Sequence, residues 1–544
     1  MVGTKAVLFT PTQRPPASWE LWVRRLCWGI VALSCLQILL FSYGRDQGIY
    51  AVVADSMLHG KVPYRDAWDF KPPGIFFVFA LAQALFGKAM VSIRLVEMAG
   101  VVATVFGFRA LGRETLGDDL AGLMGGALFA LVYAQLEFWH TAQPESFGGM
   151  LTVFALVLTL SAAETQQPSR RAVAWVGMGA LFGAAFVLKP PLGGGAIVCA
   201  AHLGRVEFAR TRRVGRALAP VCVAAASSLA VVLATALWFW ARGGWPALRW
   251  TLFDFTPGYT ALGWQDRTPL GLFLYALEEM AINFSYVVPV GVLAAVALPP
   301  IHGREREALF LTFGIVSVHA AGIALQAKFF QYHYAASIPL LAFIAGLGLY
   351  KLLRRALRFG RAATAAFAGV LVALVLSRVA LRHNPGTYWE RSFDRMKYLV
   401  LRNPSRAALD GKLYRVADYD LGADRRAANV LAGLVAPNEP IFVWGFEPVI
   451  YWLSGRPPAT RYLYDVPQRS SWLRDHARRV LLDDLARTPP RAIVVQHGDS
   501  FSFVTGDDLD SAESLATFPA LDRIITDQFR FVESVDRLDV YVRR

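Results

Sequence analysis

Charge is what this sequence has least of. Of its 544 residues only 18% are Asp, Glu, Lys or Arg, 55% are hydrophobic, and mean hydropathy is +0.39. Soluble domains carry about 25% charged residues, so a wholly soluble chain is excluded. The apolar residues come as separate runs of roughly 17–25, the length that crosses a bilayer as helix. They lack the period-two alternation of a membrane barrel strand. Cysteine is scarce as well: Cys27, Cys35, Cys199 and Cys222 all lie inside apolar runs. That placement suits packing and argues against a disulfide framework or a thiolate metal site. No Walker-type phosphate loop, no His-Glu-x-x-His and no Gly-x-Ser-x-Gly elbow is present, which removes the motifs of nucleotide-driven and hydrolytic enzymes. The first apolar run has no small-x-small cleavage site before Asp46 and reads as an uncleaved signal anchor.

What is there is a polytopic all-α membrane pattern. About eleven spans lie near 26–43, 89–111, 119–137, 146–163, 172–188, 191–203, 217–240, 280–300, 308–327, 335–352 and 362–381. The segment 74–86 is apolar but short, and suits an interfacial or re-entrant helix. The net charge of +14 sits in the short loops between runs, which is the positive-inside signature and not a nucleic-acid surface. Lys5, Arg14, Arg24 and Arg25, then Arg109 and Arg113, Arg170 and Arg171, the 205–216 cluster, Arg304 and Arg306, and the 351–361 cluster mark the cytoplasmic side. The alternate loops hold about half as many cations. The loop at 44–88, the turn at 137–146, Lys189, the loop at 241–279 and the segment 328–334 therefore share the outer face. Residues 1–25 form a cytoplasmic N-terminus and 26–381 the membrane domain. From 382 to 544 the patterning becomes that of a soluble domain. Pro440–Gly445 and Arg491–Val495 read as buried strands and Arg469–Arg487 as helix, which predicts a C-terminal α/β domain. An odd number of spans places it outside.

The outer loop 44–74 concentrates the ionisable residues: Asp46, Asp55, Asp66 and Asp69, with Lys61, Arg65 and Lys71. Asp46 begins a helical pattern with Ile49, Val52, Val53 and Met57 on one face. It reads either as an N-cap or as a general base at the membrane surface. Lys71-Pro72-Pro73 and Lys189-Pro190-Pro191 repeat one tripeptide. Proline suits a first helical turn, and a helix start beside a lysine attracts an anion such as a lipid phosphate; the simpler reading is a snorkelling lysine. Glu137, His140 and Glu145 offer oxygen and nitrogen ligands which, with Asp46 or Asp69, would suit a divalent metal, though no ligand spacing here is diagnostic of one metal. His333 either touches substrate or sits at the interface. The aromatics of 241–279, Trp245, Trp250, Phe253, Phe255, Tyr259 and Trp264, fit an interfacial belt or a cover over a lipid-linked substrate.

These segments, in this order, resemble the GT-C glycosyltransferases, specifically the bacterial relatives of the protein O-mannosyltransferases that include the aminoarabinose-transferase branch. The resemblance rests on Asp46-Gln-Gly-Ile-Tyr50, Leu58-His-Gly60, Asp69-Phe-Lys-Pro-Pro-Gly74, Leu85-Phe-Gly87, Arg94-Leu95, Gln143-Pro-Glu-Ser146, the Lys189-Pro-Pro turn, Lys328–Tyr334 and the Trp444-Gly445…Tyr451…Ser454-Gly-Arg456 tail. It covers most of residues 26–350. It implies a GT-C-type membrane domain at the inner membrane, a polyprenyl-phosphate-linked sugar donor, and a glycan, lipid or protein acceptor on the periplasmic face. It implies Asp46 as catalytic carboxylate and Lys71 as contact to the carrier phosphate. Asp69, Arg65, Lys189, Glu145 and His333 are further candidate substrate and carrier contacts. The aminoarabinose branch has a metal-contacting Glu directly before this lysine, where this chain has Phe70. Many mannosyltransferases have Asp-Glu where this chain has Asp46-Gln47. A transporter or flippase for a lipid-linked saccharide is the alternative, favoured by Arg94 and Glu97 inside a span; a membrane scaffold with an outer binding domain is a third.

Overall fold

The computed structural model describes residues 17–264, 267–282, 285–376, 386–401 and 405–544. Each apolar run of the sequence is helical where it is described. Ser18–Leu39, Met90–Leu116, Pro144–Glu164, Pro168–Leu188, Val214–Ala241 and Glu305–Gln326 are long and apolar enough to cross a membrane. Asp119–Gln135, Val287–Ala297 and Arg361–Leu376 are shorter apolar helices, and Gly195–Thr211 and Ile338–Phe359 complete the set. Small residues let these helices approach closely. A Cβ on Gly346 would run into the backbone of Gly125, and one on Gly126 would meet Val105.

Two polar ends follow from this packing. At one, Asp119 accepts from Arg24 and Arg109 at 2.6 Å each, and Arg304 reaches Glu114 and Glu164 at 2.7 Å each. At the other, the helix Arg45–Leu58, the turn around Glu137–His140, Lys189 and the segment 328–336 converge under the C-terminal region. The partition matches the grouping of loops read from the sequence. The short helix Gly74–Phe86 lies between Arg45–Leu58 and Met90–Leu116 at this second end.

The C-terminal region holds a four-stranded sheet in the order Ile441–Trp444, Ala492–Gln496, Leu538–Arg543, Phe529–Val535. The first pair is parallel and the rest antiparallel. Both expected strands are present and fully buried. The expected helix begins later, at Arg474, after the short helix Val466–Arg469.

This region is docked tightly. Arg391 and Arg395 close on Glu137 in a buried pair. Tyr414 and Tyr419 donate their hydroxyls to the carbonyls of Leu40 and Tyr43 at 2.6 and 2.9 Å. Val449 packs on Gly48, where a Cβ would lie 2.5 Å from its side chain.

Candidate active site

The helix Arg45–Leu58 starts at Gly44, not at Asp46: Gln47 Oε1 accepts from Gly44 N at 3.0 Å. Asp46 is therefore free of capping. Gln47 Nε2 also donates to Thr141 O at 2.6 Å. This latch fixes the turn 139–143 and brings Gln143 to Asp46. Gln143 Nε2 donates to Asp46 Oδ2 at 3.1 Å, and Tyr50 OH donates to Gln143 Oε1 at 2.9 Å. That second bond fixes the amide's orientation, so it presents N–H to the carboxylate. The turn carries strain: Glu137 and Ala142 have φ of 64° and 53°. Such conformations persist when surroundings over-determine them, and here the arginines on Glu137 and the Gln47 latch do so.

Lys71 Nζ stands 3.7 Å from Asp46 Oδ2 and donates to Tyr332 OH at 3.1 Å. Burial works against its charge, but Asp46 and Glu145 outweigh it and raise its pKa above that of a free lysine. The two Lys-Pro-Pro turns meet through Gly74: a Cβ there would lie 2.7 Å from Leu188 N. Lys189 lies beside Lys71 and pairs with Glu145. Burial and the Lys71 charge push Lys189 down to about 8, against the pull of Glu145. His333 Nε2 faces Glu145 Oε1 at 3.8 Å, and burial with the two lysines drives this imidazole well below its usual range, so it is neutral. Asp69 is buried, accepts from Tyr464 OH at 2.6 Å, and is pushed up to about 6 by burial.

Asp46, Lys71, Asp69, Lys189, Glu145 and His333 thus gather in one cluster. Arg65 does not join it. It pairs with Asp66 at 2.6 Å and donates to Arg242 O at 2.8 Å, on a partly exposed edge. Tyr332, Tyr464 and Gln143 are site residues that the sequence did not single out, while Tyr259 comes from the aromatic loop already noted. Gln143 and Tyr332 lie inside segments already noted. Tyr464, almost 400 residues from Asp69, carries no local signal.

The residues do not fit the metal contact of the aminoarabinose branch. Phe70 packs on Tyr259 with ring centres 4.8 Å apart. Glu137 is spent on Arg395, and among the described residues no three His, Cys, Asp or Glu groups converge as metal ligands. The 241–279 loop divides its aromatics between an inward and an outward face. Phe255 and Tyr259 pack inward on Trp68 and Phe70, while Phe253 is 68% exposed.

Arg94 and Glu97, the residues that favoured a transporter, form a buried network. Arg94 donates to Glu97 at 2.8 Å, Thr141 Oγ1 at 3.0 Å and Ser42 O at 2.9 Å, and Glu97 accepts from Tyr133 and Ala142 N. They brace the turn 137–143.

Solved structures place this architecture. ArnT from Cupriavidus metallidurans in the apo state superposes with a TM-score of 0.57 at 17% identity, over 96% of this chain and 97% of that one. The same protein bound to undecaprenyl phosphate superposes at 0.52 with 16% identity and the same coverage. The chain has the GT-C fold. Within this GT-C chain, residues 70–240 match the family model described as dolichyl-phosphate-mannose-protein mannosyltransferase. That segment runs from Phe70, beside Lys71, to Trp240, and contains both Lys-Pro-Pro turns. No curated protein matches the sequence significantly.

Proposed function

We propose that this GT-C protein transfers a sugar from a polyprenyl-phosphate carrier to an acceptor hydroxyl at the non-cytoplasmic face of the membrane. The carrying observation is a carboxylate and an ammonium 3.7 Å apart beside a small cavity. In this reading the acceptor oxygen attacks the anomeric carbon as its proton passes to Asp46. The bond from that carbon to the phosphate oxygen breaks, its electron pair stays on the polyprenyl phosphate, and Lys71 with Lys189 stabilises the charge that develops there. One attack with one departure inverts the sugar carbon.

Three features support the assignment. The Gln143 amide orients Asp46 without neutralising it. The two lysines come from separate Lys-Pro-Pro turns and both feel Glu145, an arrangement that suits a donor phosphodiester whose single negative charge becomes two as its bond to the sugar breaks. The ArnT relative binds undecaprenyl phosphate, and this chain shares its fold end to end. The positive-inside asymmetry supports an outward-facing site, with the C-terminal domain from about residue 382 on the same side. Asp46→Asn is expected to abolish release of polyprenyl phosphate from a labelled donor while thermal stability stays at the wild-type value. Normal turnover in that variant removes Asp46 from the mechanism.

A further inference from the structure

Three cavities run in series from Asp46 into the C-terminal domain. The first, about 100 Å³, is bounded by Asp46, Lys71 and Tyr259. It shares Arg45, Trp139, Phe330, Phe501 and Phe503 with a second of about 610 Å³. The second shares Ala417, Asp418 and Arg537 with a third of about 310 Å³. The larger two lie within the roughly 300–1,000 Å³ of small-molecule sites.

The walls change along the tract. Near Asp46 they are aromatic. Further out they are built of groups that both donate and accept. Arg45 Nη2 donates to Asp418 Oδ2 at 2.6 Å and to Glu447 Oε1 at 2.7 Å, and Gln496 Nε2 donates to Glu447 Oε1 at 3.0 Å. Asp424 and Glu447 stand side by side in the wall of the third cavity, 1% and 2% exposed. Asp424 Oδ2 and Glu447 Oε2 accept from no nitrogen or hydroxyl donor of the described residues. Burial and the Glu447 charge hold Asp424 well above the usual carboxylate range, and burial pushes Glu447 up to about 7. Neighbouring buried carboxyls whose charge is disfavoured in this way recur at functional sites.

Five carboxyls and two guanidiniums line this third cavity. Two of the outer carboxylates are already matched, Asp420 by Arg415 at 3.0 Å and Asp536 by Arg426. Arg45 in turn holds Asp418 and Glu447, so a phosphorylated ligand would meet no excess of positive charge. Hydroxyl pairs suit the same surface, because carboxyl, amide and guanidinium groups each offer two hydrogen-bonding atoms at fixed spacing.

We infer that the tract is the acceptor site and that it takes a neutral saccharide. The reacting hydroxyl reaches Asp46, a sugar ring packs on the aromatic walls at Trp139, Phe330 and Phe501, and vicinal hydroxyls are read by Asp418, Asp424 and Glu447. The assignment rests on the glycosyltransferase reading for the word acceptor, but its binding content stands by itself.

The test uses the full-length protein in lipid nanodiscs without donor. Binding is measured by saturation-transfer NMR against neutral trisaccharides of gluco, galacto, manno and N-acetylglucosamine type, each beside its phosphorylated counterpart. At least one neutral member is expected to bind, its phosphorylated form at least tenfold more weakly. Asp418→Asn and Ala417→Trp are both expected to weaken that binding at least tenfold. Ala417 is exposed and lines both outer cavities, so the tryptophan plugs the tract without removing a polar bond. Tighter binding of a phosphorylated member, no binding by any neutral one, or wild-type binding in both variants overturns the inference. Polyprenyl phosphate release from a labelled donor, measured on the same sample, tests the transferase reading separately. Saccharide binding without donor consumption leaves the tract assigned and removes the transferase.

Discussion

At the scale of single residues, the site is a problem of holding opposite charges close without letting them cancel. Asp46 and Lys71 stand 3.7 Å apart, while Asp46 accepts a hydrogen bond from the Gln143 amide and Lys71 donates one to the Tyr332 hydroxyl. Lys189 is the more sensitive group, because burial and the neighbouring Lys71 charge hold it near 8. A depressed lysine is a cation below that value and neutral above it. The kcat/KM for donor is therefore expected to fall as pH rises through about 8, the profile of the free enzyme. Lys189→Met is expected to lower kcat/KM by about a hundredfold, the scale of a lost electrostatic stabiliser, and to flatten this alkaline limb. An unchanged limb in the variant assigns the titration to another group.

At the scale of elements, the close contact between helix ends does what neither lysine achieves alone. The helix that starts at Gly74 abuts the end of Pro168–Leu188, and no side chain fits between them. Gly74→Ala inserts a methyl group 2.7 Å from Leu188 N, so the two Lys-Pro-Pro turns must separate. Displacements of about 1 Å at a reacting centre cost up to about a hundredfold in rate. The variant is expected to lose at least about tenfold in kcat/KM, mainly through KM for the donor, with donor titrations as the measurement. A wild-type KM would mean that the turns are not one phosphate site.

These elements also show why only part of the site was legible in the sequence. The spans were readable because hydropathy is local and additive along a helix. The paired Lys-Pro-Pro tripeptides and the acidic loop were readable because each is contiguous. The sequence does not say that Gly44 and not Asp46 opens the helix, since that depends on the Gln47 side chain folding back. It does not show Tyr464 on Asp69, or Arg45 clamped by Asp418 and Glu447. Those contacts join residues more than 370 positions apart, and soluble patterning in the C-terminal domain gives no hint of its partners. Glu137 and Arg65 lie outside the cluster for a related reason. A carboxylate or guanidinium in an outer turn looks available until a distant arginine, or the adjacent Asp66, is found holding it.

At the scale of the whole molecule, the account needs the two polar ends to lie on opposite sides of a membrane. With the native cysteines replaced, Lys61→Cys and Arg212→Cys, both exposed, are expected to react with an impermeant maleimide from opposite sides, Lys61→Cys from outside. Labelling from one side would dismantle the shared outer face and the site with it. The central claim is more direct than topology: this protein consumes a carrier-linked sugar through Asp46. The deciding measurement is release of polyprenyl phosphate by the purified protein from a radiolabelled pool of polyprenyl-phosphate sugars, wild type beside Asp46→Asn. The account predicts release by the wild type and none by the variant at equal folded content. Release by both contradicts the role of Asp46, and release by neither, with vesicles that instead move the lipid-linked sugar across the bilayer, contradicts the enzyme.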